Sequence, residues 1–107
     1  MILLHVVTES KLQAIEIAEY LIENKLILDA VISDKVVVRK HSITGKYDTV
    51  NQTLVMGRTK SLLFNFIDQK LRERYPHKMP VLYSVAIVNM DWEQSDQLIN
   101  ETADVCL

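Results

Sequence analysis

The sequence predicts an α+β fold: a ferredoxin-like βαββαβ sandwich, a four-stranded antiparallel sheet with two helices on one face, followed by an extra C-terminal helix. Three observations predict it. Short apolar runs rich in β-branched residues alternate with amphipathic helical patterns. Their order is strand, helix, strand, strand, helix, strand, two split βαβ units for which right-handed crossovers are expected. No linker, internal repeat or low-complexity tract interrupts the 107 residues, so residues 1–107 read as a single domain.

The first strand is Ile2 to Val7, a continuous apolar run of the buried kind. Ser10, with Gln13 three residues on, fits a capping box at a helix start. Leu12, Ile15, Ala18, Leu21 and Ile22 then recur at helical spacing, opposite Glu16, Glu19 and Glu23. The helix is expected to end near Asn24-Lys25, where a lysine suits the negative end of the dipole. From Leu28 to His41 the chain is β-rich, with a bend or bulge expected at Ser33-Asp34.

Ile43-Thr44-Gly45-Lys46 reads as a hairpin turn with glycine at the special backbone position. The returning strand, Tyr47 to Met56, alternates Thr49, Asn51 and Thr53 with Val50, Gln52 and Leu54, and Gly57 is expected to end it. Thr59 or Ser61 can cap the second helix, whose stripe is Leu62, Leu63, Phe66, Ile67, Lys70 and Leu71. It stops at Tyr75 because Pro76 disfavours helical geometry at the residue before it. Pro80 starts the fourth strand, Leu82 to Val88, without needing a donated N–H. Asp91 caps a last helix with Trp92, Leu98 and Ile99 as its apolar contacts.

Composition sets bounds on function. The chain is 49% hydrophobic and 24% charged, so it is globular, with an apolar surplus that suits a subunit interface. Its net charge of −2 gives no electrostatic footprint for nucleic acid and no basic run for a membrane surface. Cys106 is the single cysteine and closes no disulfide within the chain. Met1 leads straight into ILLHVV, which reads as a strand and not a signal peptide, and no run nears the roughly 20 apolar residues of a membrane span. A cytoplasmic location is expected.

A fold of this class hosts many functions, so the residues must decide. An RNA-recognition version needs aromatic residues on the central strands, and YDTVNQTLVMG carries one, at its edge. An acylphosphatase version needs a glycine-rich loop after the first strand, where TESK stands. With Gly45 and Gly57 its only glycines, the chain has no phosphate-cradling loop of Walker or dinucleotide type. Metal-ligand spacings such as C-x-x-C are absent. His5 reads as a hydrogen-bonded interior residue and His41 as an exposed strand end. Glu93 and Asp96 could face a hard cation, but capping explains Asp91 more simply.

Several motifs together resemble the CutA family of divalent-cation tolerance proteins. They are the apolar first strand closing on Thr8, the Ile17-Ala18-x2-Leu21 core, the Gly45-Lys46 hairpin, Arg58-Thr59 before Leu63-Phe64, and Tyr75-Pro76-His77-Lys78-Met79-Pro80. The chain differs from the family's pattern at several places. His41 and Ile43 replace hairpin aromatics, Asp29 stands where a cysteine is frequent, Tyr75 and His77 exchange the usual histidine and tyrosine, and Val81 replaces a glutamate.

The resemblance implies a non-enzymatic homotrimer, PII-like in architecture, associated with the response to divalent metal ions. It implies that Val36 to Val38, Leu54 and Val85 to Val88 meet neighbouring subunits. The connector between the prolines would then lie near an inter-subunit cleft, with Tyr75 and His77 as ligand residues and His77 as a ligand to copper or zinc. Arg58 and Lys60, flanking a helix N-terminus, are candidates to bind an anion. The alternative is a PII-like signalling adaptor that binds a small anion or nucleotide in the cleft and passes its state to an unidentified protein partner.

Overall fold

The computed structural model describes residues 1–104; Cys106 lies outside them. The elements are β1 (Ile2–Thr8), α1 (Lys11–Glu23), β2 (Val31–Lys40), β3 (Tyr47–Thr59), a 3-10 turn (Ser61–Leu63), α2 (Phe64–Arg74), β4 (Val81–Ala86) and α3 (Trp92–Glu101). The sheet order is β2-β3-β1-β4, with every neighbouring pair antiparallel. This is the predicted ferredoxin-like arrangement with its additional helix.

One face of the sheet meets the helices. Leu4, Val6 and Val55 pack with Ala14, Ile17, Ala18 and Leu21 of α1 and with Ile67 and Leu71 of α2. Each large aliphatic side chain taken out of water there stabilises by about 1.5–3 kcal/mol. The predicted helix stripes overlap the buried ones at Ala18, Leu21, Leu63, Ile67 and Leu71 and are too wide elsewhere. On α1, Leu12 is 79% exposed while Ala14 and Ile17 are buried. On α2, Leu62 and Phe66 are exposed, and Leu63, Ile67 and Leu71 face inward at a spacing of four. Both helices carry apolar residues on two adjacent faces, so periodicity alone could not choose between them.

The helix ends are set by local chemistry. Ser10 Oγ accepts from the Gln13 N–H at 3.2 Å, as a cap should, while the Gln13 amide donates instead to the Lys78 carbonyl at 3.2 Å. After α1, Lys25 takes a left-handed φ of 56°. Its N–H reaches the Ile22 carbonyl at 3.0 Å, and the Leu26 N–H reaches Leu21 at 2.8 Å. That is a Schellman closure with lysine where glycine is usual. Asp91 caps α3 by accepting from the Gln94 N–H at 3.2 Å. The contacts predicted for α3 divide: Leu98 is buried, Trp92 and Ile99 are exposed.

Four further expectations are corrected. The register of β2 against β3 runs unbroken from Val31↔Met56 to Lys40↔Tyr47, so Ser33-Asp34 makes no bulge. Gly57 does not end β3: the strand continues to Thr59, with Gly57 opposite Leu4. A Cβ at Gly57 would stand 3.0 Å from Ile27 Cδ1 and 3.2 Å from the Asp29 carbonyl oxygen, so the glycine answers to packing. Neither Thr59 nor Ser61 caps α2, because the Thr59 hydroxyl donates to the Leu26 carbonyl at 2.7 Å and a 3-10 turn opens the helix. β4 begins at Val81 and ends at Ala86, leaving Val88 beyond it. The hairpin turn is as predicted, with Gly45 at φ 69°.

Candidate functional site

The connector after α2 is fastened to α1. Tyr75 closes the helix, its N–H reaching the Leu71 carbonyl at 2.8 Å. Its hydroxyl donates to Glu16 Oε1 at 3.0 Å. Arg74 approaches the same oxygen at 3.8 Å, and its guanidinium lies 4.5 Å from the Tyr20 ring centroid. Burial, and then the hydrogen bond to Glu16, raise the Tyr75 phenol above its ordinary pKa, with Arg74 opposing. Pro80 is buried and Met79 packs on the core, whereas His77 is exposed. A cleft of about 430 Å³ opens between this connector and the start of α1, lined by Glu9, Ser10, Leu12, Gln13, Glu16, Tyr75 and Lys78.

The other two candidates lie elsewhere and part from each other. Arg58 pairs with Leu3 on β1 and pairs loosely with Asp29 at 3.6 Å. Its side chain borders a cavity of about 220 Å³ with Leu28, Met90, Gln94, Gln97 and Leu98. Lys60 is turned to the C-terminal end of the chain. Its ammonium donates to the Thr102 and Ala103 carbonyl oxygens at 3.3 and 3.1 Å and meets Asp104 Oδ1 at 3.4 Å. A lysine used in this way holds the end of α3 and is not poised for an anion. Arg58, Lys60 and the Tyr75–His77 pair therefore occupy three separate places.

Sequence reasoning left the centre of the uncovered sheet face unassigned. Strand alternation places Leu3, His5 and Val7 of β1 on the side away from the helices. The register sets Leu54, Met56 and Arg58 beside them from β3, Val31 and Ser33 from β2, and Val81, Tyr83 and Val85 from β4. Tyr83 and Val85 are nearly half exposed and Val31 and Val81 more so. Of the residues expected to meet neighbours, Val37, Leu54 and Val85 share this face, while Val36 and Val38 project from the opposite side of β2.

His5 is hydrogen-bonded, as expected, with Nδ1 3.2 Å from the Tyr83 hydroxyl and the two ring centroids 4.9 Å apart. It is not interior to the helix-covered core, because odd positions of β1 face the other way. Its Nε2 is buried within the chain without a partner among the described residues, and so is Ser33 Oγ on the same face. The signal was present in the strand alternation, which put His5 out of phase with Leu4 and Val6.

No family model and no curated protein matches this chain. Solved structures do match its fold. CutA1 from Pyrococcus horikoshii superimposes with a TM-score of 0.82, covering 97% of this chain and 100% of that one at 15% identity. The divalent ion tolerance protein CutA1 from Ehrlichia chaffeensis gives 0.80 over 95% and 94% at 22% identity. The periplasmic divalent cation tolerance protein CutA from Archaeoglobus fulgidus gives 0.80 over 94% and 98% at 19% identity.

Proposed function

We propose that this chain is a non-enzymatic, CutA-like homotrimer with a role in the response to divalent metal ions. The observation that carries the reading is the end-to-end likeness, at TM-scores of 0.80 to 0.82, to proteins named for divalent ion tolerance. The apolar sheet face supports self-association, since a monomer would leave Tyr83, Val85, Val31 and Val81 against water. In the trimer the three sheets face one another around the axis.

His77 is the residue proposed to meet copper or zinc. Its exposure leaves the imidazole open to a metal. Among the described residues of one chain no group of three or more histidine, cysteine, aspartate and glutamate side chains is placed to hold a metal. Further ligands would therefore come from neighbouring subunits at the cleft beside Tyr75. The cytoplasm is the proposed location. The adaptor reading is the weaker one, because Lys60, half of its cationic pair, is already engaged by α3.

Light scattering and calorimetry test the proposal. The expected mass is three times the 12.3 kDa of one chain, and the expected heats come with copper or zinc. A mass near one chain overturns the trimer. Binding of ATP or AMP without any metal response replaces this reading with the PII-like adaptor.

A further inference from the structure

We propose that the cavity between β3 and α3 is a binding site for a small aliphatic amino acid, with Arg58 holding the ligand's carboxylate. The inference is independent of the metal reading and of the number of subunits, since every group it uses belongs to one chain.

Three segments build the cavity. The first is the chain after α1, which lies close against β3 because Gly57 has no Cβ: that carbon would stand 3.0 Å from Ile27 Cδ1 and 3.2 Å from the Asp29 carbonyl oxygen. Leu28 thereby becomes one wall, and the Asp29 carboxylate comes to stand beside Arg58. The second is the end of β3, which runs past Gly57 to Thr59 and so presents Arg58 from a paired strand. The third is α3, where Gln94, Gln97 and Leu98 fall at i, i+3 and i+4 and share the face that lines the cavity. That helix is fixed at both ends. Asp91 accepts from the Gln94 N–H at 3.2 Å, and the Lys60 ammonium holds the Thr102 and Ala103 carbonyl oxygens at 3.3 and 3.1 Å. Groups carried on a rigid frame lose little conformational freedom when a ligand arrives.

The chemistry of the lining selects the ligand. The Arg58 side chain is 39% exposed, and its ionic neighbour among the described residues, Asp29, stands 3.6 Å away. A charge-assisted N–H···O bond is about 2.7–2.9 Å long. The guanidinium therefore keeps its fork of donors for a carboxylate, which it can hold in a bidentate pair. Gln97 gives an amide N–H to Glu101 Oε2 at 3.1 Å, which leaves its carbonyl oxygen to accept. The Asp29 carboxylate is a second acceptor, at the rim. A ligand that suits both halves has a carboxylate and a cationic donor side by side, which is the ammonium carboxylate of an α-amino acid. Its binding exchanges one long ion pair for two closer ones.

Size and polarity narrow the choice further. Leu28, Met90 and Leu98 offer apolar contact to a short aliphatic side chain. The cavity holds about 220 Å³. That is below the roughly 300–1,000 Å³ of sites for drug-sized ligands, so it suits a small amino acid and is too small for a nucleotide.

The test is a nuclear magnetic resonance titration of the full chain with alanine and with valine, beside acetate and isobutylamine, which each carry one of the two charges. The expected result is saturable shifts at Leu28, Arg58 and Gln94 to Leu98, with the amino acids bound at least about tenfold more tightly than either one-charge compound. Arg58→Gln should weaken amino-acid binding by about tenfold or more, with circular dichroism as a check on folding. Arg58→Lys, which keeps the charge and loses the fork, should bind less tightly than wild type and serves if the glutamine variant does not fold. No saturable shift at millimolar amino acid overturns the proposal, and so do shifts confined to other parts of the chain. Acetate bound as tightly as alanine overturns the amino-acid assignment. Equal affinity in wild type and both Arg58 variants overturns the role of Arg58 and the site with it. Adenosine monophosphate moving the same resonances also overturns the proposal, because the cavity would then not select by size.

Discussion

The hydroxyl of Tyr75 donates to Glu16 Oε1 at 3.0 Å, tying the connector that follows α2 to the outer surface of α1 across 59 positions of sequence. The connector is thereby held from both ends, since Gln13 donates to the Lys78 carbonyl at 3.2 Å. His77 projects from a segment whose neighbours on both sides are fixed.

Removing that hydroxyl should be felt modestly. Tyr75→Phe is expected to cost about 0.5–1.5 kcal/mol in denaturant unfolding, the net contribution of one hydrogen bond at a partly exposed site. The phenol's ionisation, followed by ultraviolet absorbance, should occur above its ordinary value near 10, and Glu16→Gln should bring it down. A phenol raised in the folded state adds stability that is present below its unfolded midpoint and disappears as pH rises through the folded one. Stability should therefore fall on the alkaline side of pH 10. A Tyr75 that titrates at or below the ordinary value would contradict the bond.

Lys60 should prove structural. Its ammonium holds the carbonyl oxygens of Thr102 and Ala103, and Lys60→Met leaves those acceptors at the end of α3 without it. The expected loss is about 1.5–3 kcal/mol, with amide exchange accelerated across α3 before the rest of the chain. Unchanged protection of α3 would refute the role.

Lys25→Gly should stabilise the protein. The lysine pays a steric penalty at φ 56°, where a residue without Cβ rests easily. A gain of about 1 kcal/mol is expected in thermal or denaturant unfolding, with the closing bonds of α1 retained. Destabilisation would mean that the Lys25 side chain makes a contribution larger than the strain.

The two apolar faces of α1 should differ sharply in the isolated fold. Leu21→Ala empties a fully buried site and should cost about 2–5 kcal/mol. Leu12→Ala, at a site 79% exposed, should change stability by under about 0.5 kcal/mol. A comparable loss at Leu12 would show that a neighbouring subunit covers it.

The connector separates binding from folding. His77→Ala removes an exposed side chain and should leave thermal stability within about 0.5 kcal/mol while lowering copper or zinc affinity. Pro80→Ala, at a buried proline, should reduce stability modestly through the freedom it gives the unfolded chain, with metal affinity held. Equal metal affinity for wild type and His77→Ala would make the segment structural throughout.

The features legible in the sequence are those whose causes are local. The order of strands and helices follows from period, the caps at Ser10 and Asp91 from a side chain reaching three residues on, the end of α2 from Pro76, and the hairpin from Gly45. The resemblance that gave the fold its family likeness rests on such short motifs. The identity of the buried stripe was less legible, because α1 and α2 each carry apolar residues on adjacent faces and only the sheet they meet selects one.

What the tertiary structure alone decided depends on residues far apart in the chain. Gly57 looked like a strand end and is a strand interior, because pairing with β1 carries the strand on to Thr59 and Ile27 and the Asp29 carbonyl crowd the place of a Cβ. Arg58 and Lys60 looked like a pair, yet one borders a cavity beside α3 and the other binds the carbonyl oxygens that end that helix. His5 looked interior and lies on the uncovered face, where Tyr83, its hydrogen-bond partner among the described residues, comes from β4, 78 residues away. Sequence pattern fixes which groups a segment presents, through dihedral preference and periodicity. Which group meets which is fixed only when the sheet closes, because that contact energy exists between elements and in none of them alone.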